Sequence, residues 1–491
     1  MEKHFYLAVD LGAESGRTIL GQLEHRRLLT REVSRFPNAP VRVQGHLHWD
    51  VYRLFEEIKR GMTAGLAAAG TQPESLAVDT WGVDFGLLSS DGTVLGLPYA
   101  YRDARTLGIM EEFFERMPRD QVYERTGIQF LPFNTLFQLF ASIKEEPGLV
   151  ERSGALLFMP DLFSYLLTGE KVSEFTIAST SQLLNPRTRT WDAALLSALG
   201  APPRLMQAIV SPGTQLGTLS PSVIRESGLT ETQVIATASH DTAAAIAAVP
   251  AAGEGWAYIS SGTWSLMGVE LGSPLINPDV LASNFTNEGG VAGSTRFLKN
   301  IAGLWLLQQC RKEWSSVRTP GYDELTGLVD EASPFGALID PDCADFLNPP
   351  SMTEAIGSYC RRTGQMPPQS PPETVRCILE SLALKYRWTL DEIMHLTGKS
   401  INRIHVIGGG SRNQRLCQFT ADATGLPVFS GPAEATSIGN IMIQALAMGQ
   451  VSSVEEIRAI IRESVEIKAY EPVQAAEWDR AYGRFRGVMG F

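Results

Sequence analysis

The sequence predicts an α/β protein of two similar domains with a cleft between them, and three observations point there. Residues 5 to 22 read as two short strands, FYLAVDL and RTILGQL, joined by the small-residue loop GAESG. After residue 240 the same order begins again: an Ala-rich helix, TAAAIAAV, leads into GWAYISSGTWSLMGVEL, where SSGT takes the place that GAESG held. A length of 491 residues, at the usual ~100–200 per domain, accommodates two to four domains or one duplicated pair.

Along the chain, WDVYRLFEEIKRGMTAGLAAA (49–69) spaces Val51, Leu54, Phe55 and Ile58 as one helical face, with Asp50 as N-cap. The segment SLAVDTWGVDFGLLSSDGTVLG (75–96) then carries strand-like runs around the turn pair Asp91-Gly92. Helical patterns cover roughly 105–118, 135–147 and 159–168, and a Pro/Gly-rich passage (202–221) precedes a strand at Gln233 to Thr237. Later, INRIHVIGGGSRNQRLCQFTADATG (401–425) runs a strand into three glycines and a helix, and further helices follow near 434–448 and 453–463.

Composition removes several classes. Apolar residues make up 44% and charged residues 20%, which excludes a largely disordered chain. With 42 Lys+Arg against 54 Asp+Glu the net charge is −12, so neither nucleic acid nor an anionic membrane is an expected partner. The apolar run Phe5 to Val9 is too short for a signal-peptide core. Thr242 to Gly253, broken by Pro250, is well short of the ~20 residues of a spanning helix. Five cysteines without a CxxC spacing signal neither zinc nor a disulfide framework, so free thiols in a cytoplasmic protein are expected.

Glycine clusters follow three strands, at Gly12 to Gly16, Ser260 to Gly262 and Gly408 to Gly410. Such loops aim several backbone N–H groups at one point and admit anionic oxygens, which suits a polyphosphate; none is a Walker A or a GxGxxG loop. Phosphoryl transfer to an alcohol also needs a proton acceptor. Asp241, between a strand and an Ala-rich helix, suits that role and equally suits an N-cap. His240 beside it binds substrate or packs. Asp10, at the end of the first strand, either holds Mg²⁺ through water or caps its turn. Asp79, Trp81, Gly82 and Asp84, with Arg102, Asp103 and Arg105, set polar groups beside an aromatic face, a surface that suits a sugar; Phe85 and Phe133 read as core.

These residues carry a resemblance over nearly the whole chain: AVDLGAESGR (8–17), DTWGVDF (79–85), YRDAR (101–105), GIQFLPFNTLFQL (127–139), MPDLFSYLLTG (159–169), SHDTA (239–243), SSGTWSLMG (260–268), NEGG (287–290), LKNIAGLWLLQ (298–308) and HVIGGG (405–410). In order and spacing the chain resembles the FGGY carbohydrate kinases, and among them the rhamnulokinase branch. The resemblance implies two ribonuclease-H-like domains of the actin-like, hexokinase type, residues 1–244 with the sugar site and first phosphate loop and 245–491 for the nucleotide. It also implies ATP with Mg²⁺ as donor and L-rhamnulose as acceptor, giving L-rhamnulose 1-phosphate and ADP in rhamnose catabolism. By position it places Ala13, Glu14, Ser15, Gly16 and Arg17 in the first phosphate loop and Thr263 in the second. Gln308 and Gly409 fall at the nucleotide, and Gly82, His240, Asp241, Thr242 and Asn300 at the sugar. Asp241 takes the catalytic-base position.

The chain departs from the broad family pattern in two places. No Lys stands near Met159 to Asp161, and IDPDCADFLNP (339–349) replaces the Gly-Glu-Arg segment of glycerol and xylulose kinases. Both differences agree with the rhamnulokinase branch. Glu14 sits where a small hydroxyl residue is commoner, so its carboxylate points outward or toward a cation. The alternatives are a kinase for another deoxyketose such as L-fuculose, or a non-kinase actin-like ATPase.

Overall fold

The computed structural model describes residues 3–315 and 321–490. Two compact units divide them: the first holds Met1–Ala252, Glu270–Phe297 and Ala435–Ser464, the second Gly253–Val269, Leu298–Glu434 and Val465–Phe491.

In the first unit, β1 (His4–Leu11), β2 (Ser15–Glu24) and β3 (Arg27–Pro37) form an antiparallel meander. Helix α1 (Val51–Ala69) follows, capped by the Asp50 carboxylate on the Arg53 N–H at 3.1 Å and closed by Gly70 at φ 68°. Val51, Leu54, Ile58 and Met62 are fully buried along it, each contributing roughly 1.5–3 kcal/mol. Gly61 and Gly65 let the helix axis approach the sheet, because a Cβ there would strike Thr18 and Leu7. β4 (Ser75–Thr80) pairs parallel to β1, β5 (Thr214–Thr218) returns, and β6 (Gln233–Ala236) pairs parallel to β4 and antiparallel to β5. The sheet order is β5-β6-β4-β1-β2-β3. Tyr6 to Val9 show no exposure, as expected of a central strand covered on both faces. Beyond β6 comes α2 (Asp241–Ala247).

In the second unit, β7 (Trp256–Ser261) and β8 (Ser265–Leu271) form the second hairpin, and the long helix α3 (Pro371–Thr397) leads to β9 (Arg403–Ile407). β9 pairs parallel to β7, β10 (Val428–Ser430) parallel to β9, and β11 (Lys468–Tyr470) antiparallel to β10. The run β8-β7-β9-β10-β11 therefore repeats β2-β1-β4-β6-β5 in order and direction: antiparallel hairpin, two parallel strands, antiparallel edge. The repeat read from two small-residue loops is a duplication of the sheet.

One element crosses the linear order. Helix α4 (Ala435–Ala447), far along the chain, belongs to the first unit. Its Gly439 lies against the backbone of α2, where a Cβ would collide with the Ala244 carbonyl.

One helical expectation is not met. Residues 105–118 hold a 3₁₀ turn (Ala104–Thr106) and a short helix (Ile109–Phe114), interrupted at Gly108, φ 76°. The helix expected over 159–168 is found at Met159–Thr168. All five cysteines are free, and Cys360 and Cys377 are both buried. Among the described residues no helix is long and apolar enough to cross a membrane.

Candidate active site

Three carboxylates come together at the C-terminal ends of the first unit's parallel strands. Asp10 and Asp79 are register partners on β1 and β4. Asp241 opens α2, whose preceding residues lie along β4 through the Thr80 N–H to Ser239 carbonyl bond of 3.0 Å. Burial raises the Asp79 carboxyl well above the ordinary carboxylate range, and the charges of Asp10 and Asp241 add to the rise. Asp10 Oδ2 accepts from Arg17 Nε at 3.0 Å, Arg17 Nη2 at 2.7 Å and Ser437 Oγ at 2.8 Å. Asp79 Oδ2 accepts from Asn440 Nδ2 at 2.6 Å, while its buried Oδ1 has no hydrogen-bond partner among the described residues.

Ser437, Asn440 and Gln444 line one face of α4. Gln444 takes the Ser75 hydroxyl at 2.6 Å and donates to Asn440 at 2.7 Å, so a polar ladder in a buried helix holds the two strand carboxylates. Sequence reasoning missed all three residues. Their spacing of three and four within the apolar ATSIGNIMIQALA was the available signal.

Asp241 does not cap its helix. His240 occupies the N-cap position, and the Asp241 carboxylate turns back to accept from the Thr242 N–H and, at 3.1 Å, the Thr242 hydroxyl. Its side chain retains 29% of its exposure. Burial raises its carboxyl, opposed by His240 and reinforced by Asp10. His240 Nε2 lies 3.4 Å from Asp241 Oδ1. A Cβ placed on Gly82 would stand 3.4 Å from that same Nε2 and 3.4 Å from Thr180 Oγ1. Gly82, His240, Asp241 and Thr242 are thus one neighbourhood. Beside Gly82, Val83 adopts φ 69°, a strained conformation for a β-branched residue, held by Thr180 Oγ1 on its N–H at 3.3 Å and Thr135 Oγ1 on its carbonyl at 2.6 Å.

The strand end that carries His240 is anchored by Glu174, which neither composition nor spacing revealed. Its carboxylate accepts the Ser239 N–H at 3.1 Å, the Thr176 N–H at 2.8 Å and the Ile177 N–H at 3.2 Å. Burial pushes this carboxyl up to about 7.

The remaining candidates fall in two places. In the first loop, Gly12 N–H bonds the Ser15 carbonyl at 3.0 Å and Asn38 Nδ2 donates to the Gly12 carbonyl at 2.8 Å. Ala13 and Ser15 are half-buried, Glu14 is exposed, and Gly16 is buried beneath the Phe36 ring, which a Cβ would strike. In the second unit, the Thr263 carbonyl accepts from the Trp305 N–H at 3.0 Å, which sets the start of the helix bearing Gln308 against the second hairpin loop. Gln308 Oε1 is buried without a hydrogen-bond partner among the described residues. Gly408 and Gly410 press on Ser261, whereas a Cβ at Gly409 would meet nothing within 4 Å. Asn300 is half-buried in the strand Thr295–Ile301.

The polar face expected around the aromatics is mostly framework. Asp84, fully buried, accepts from Trp49 Nε1 at 2.6 Å, Trp81 Nε1 at 2.9 Å, the Tyr101 N–H at 3.1 Å and Gln138 Nε2 at 2.8 Å. Asp103 accepts the Leu47 N–H at 2.7 Å and the Arg105 N–H at 2.9 Å, and the Arg105 guanidinium donates to Ser142 Oγ at 2.8 Å over the Tyr99 ring. These groups are committed to one another within the first unit.

Comparison with known proteins places this arrangement. The N-terminal domain of the FGGY family of carbohydrate kinases matches residues 5–248 and its C-terminal domain residues 257–448. The chain is 49% identical over 489 residues to a rhamnulokinase of Bacteroides thetaiotaomicron, covering 100% of both. It is 42% identical over 467 residues to a rhamnulokinase of Halalkalibacterium halodurans, covering 95% of this chain and 98% of that one. Two solved structures of low identity share the fold. Gluconate kinase from Lactobacillus acidophilus matches with a TM-score of 0.81 at 15% identity over 100% of this chain and 98% of that one. Plasmodium falciparum glycerol kinase with ADP matches with a TM-score of 0.77 at 13% identity over 98% of each.

Proposed function

The chain belongs to the FGGY family of carbohydrate kinases, and from that membership we propose that it transfers the γ-phosphoryl group of ATP to O1 of L-rhamnulose. The full-length likeness to rhamnulokinases supports the acceptor. The observation that carries the chemistry is Asp241: a carboxylate made more basic by burial, still open on one side, free of the capping role, and next to a histidine whose Nε2 faces a glycine.

In this reading Asp241 accepts the O1 proton as O1 attacks phosphorus. His240 and Thr242 orient the sugar with Asn300, and the absent side chain of Gly82 leaves the sugar room beside His240 Nε2. Backbone amides of the first loop (Ala13 to Arg17) and of the loop around Thr263 bind the phosphates and stabilise charge on the group in flight. Gln308, whose buried oxygen has no partner among the described residues, and Gly409, with open space above its Cα, take the nucleotide.

Among the described residues no group of three or more His, Cys, Asp or Glu side chains is arranged to hold a metal ion by itself, so a divalent ion would come with ATP. Asp10, Asp79 and Asp241 repel one another, Arg17 offsets this in part, and Asp79 Oδ1 has no hydrogen-bond partner among the described residues. Mg²⁺, when bound, neutralises phosphate charge; Asp10 would hold it through water. Free thiols suit a cytoplasmic setting.

Coupled ADP release measured across a ketose panel tests the proposal. Turnover dependent on L-rhamnulose, with the 1-phosphate seen by ³¹P NMR, is the expected result. ADP release indifferent to sugar overturns the kinase reading, and a preference for L-fuculose overturns the acceptor.

A further inference from the structure

Behind His240 lies a buried cluster that the proposed mechanism does not use. Arg296, with no exposed surface, directs Nη2 to His240 Nδ1 at 3.0 Å. Its Nε donates to the Gly289 carbonyl at 2.7 Å, and Nη2 also stands 3.0 Å from Glu288 Oε2. The His240 backbone is pinned separately, its N–H donating to Thr176 Oγ1 at 3.2 Å.

A guanidinium has donors only. An N–H of Arg296 aimed at Nδ1 therefore requires a lone pair there, and the single proton of the neutral ring sits on Nε2. Glu288 acts in the opposite sense. Its Oε2 lies 3.4 Å from Nδ1, and a carboxylate at that nitrogen, alone, would draw the proton onto it. Arg296 wins on distance and direction, while Glu288 supplies the countercharge that makes a fully enclosed guanidinium tolerable.

We propose that Arg296, set by Glu288 and the Gly289 carbonyl, is a positioning residue that locks His240 in the Nε2–H tautomer and so presents a hydrogen-bond donor to a ketose oxygen beside Asp241. The inference rests on the ketose-kinase reading for the identity of the acceptor, and on geometry alone for the tautomer. It assigns adjacent groups complementary roles: His240 Nε2–H donates to an oxygen that the sugar offers, and Asp241 accepts the proton of the one that reacts. Gly82 keeps the approach to Nε2 clear.

Two measurements test it. Long-range ¹H–¹⁵N spectra of the full chain with ¹⁵N-labelled histidine, assigned with His240→Gln, read the tautomer without any substrate. A protonated Nε2 and bare Nδ1 are expected; a protonated Nδ1 overturns the proposal whatever the activity. Steady-state kinetics of Arg296→Met are expected to show the ketose KM raised about tenfold or more, the loss of one well-placed hydrogen bond, with the ATP KM within about twofold. In that variant the ring proton should move to Nδ1, under Glu288. Arg296→Lys, which keeps a donor, should restore most of the ketose affinity. An Arg296→Met protein that binds ketose like the parent overturns the proposal, and if that variant does not fold, the spectrum of the parent decides. Absence of ketose turnover in the parent would defeat the kinase reading while leaving the tautomer readable.

Discussion

Asp241→Asn separates chemistry from architecture. The carboxylate Oδ1 accepts from the Thr242 N–H and hydroxyl, and an amide oxygen can accept both, so the local geometry should persist. What disappears is basicity. A positioned general base contributes about 10²–10⁴-fold, equivalent to roughly 3–5 kcal/mol of barrier, so kcat should fall by at least ~10² with the ketose KM little changed. Stability should move the other way. Burial raises this carboxyl, so between its unfolded and folded pKa values the native state binds more protons than the unfolded one, and rising pH weakens the fold through this group. The amide carries no such penalty. At neutral pH the variant should melt at the same temperature or higher, and the advantage should vanish below the ordinary carboxylate range. Coupled ADP release at saturating ATP gives the first quantity, and thermal unfolding from pH 4 to 8 the second. Turnover within tenfold of the parent would refute Asp241 as the base, and a lower melting temperature at neutral pH would show that its charge is structural.

Gly82→Ala places a methyl group 3.4 Å from His240 Nε2; the ketose KM should rise several-fold while the ATP KM holds, and equal effects on both would count against a sugar site there. Glu174, held up to about 7 by burial, keeps its proton when folded but not when unfolded between its ordinary ~4.3 and that value. Stability should therefore decline as pH rises through that window. Glu174→Gln should be less stable at pH 5, because an amide nitrogen faces backbone N–H donors, yet flatter from pH 5 to 7; identical slopes in urea unfolding would contradict this. Asn440→Ala takes from Asp79 Oδ2 its donor and from the Gln444 amide one of its two acceptors, at about 1–3 kcal/mol each. A loss of roughly 2–5 kcal/mol by urea titration is expected, and a neutral outcome would mean that water replaces the amide.

Much of the fold was legible because its signals are local. Asp50 and Gly70 bracket α1, and the small-residue loops after β1 and β7 mark hairpins whatever surrounds them. Position also marked Asp241 and His240. What the sequence could not display is which partner satisfies a polar side chain. Asp84 and Arg105 carry the same chemistry as sugar-binding residues, and only the fold turns them toward Trp49 and Ser142. Arg296 is 56 residues from His240 and Asn440 is 361 from Asp79; no periodicity links such pairs. The break at Gly108 outweighed the helical pattern around it, since one residue at positive φ redirects the backbone.

The return of α4 to the first sheet has a consequence for synthesis on the ribosome. Asp10 and Asp79 emerge early, yet Ser437 and Asn440, which hydrogen-bond them, are translated only when almost nine-tenths of the 491 codons have been read. A nascent chain shorter than that must carry two acidic groups without these donors, and α2 without the helix that Gly439 lets settle on it. The amino-terminal half thus acquires its final packing only late in translation, so a stop codon near residue 250 should yield a fragment that chaperones retain.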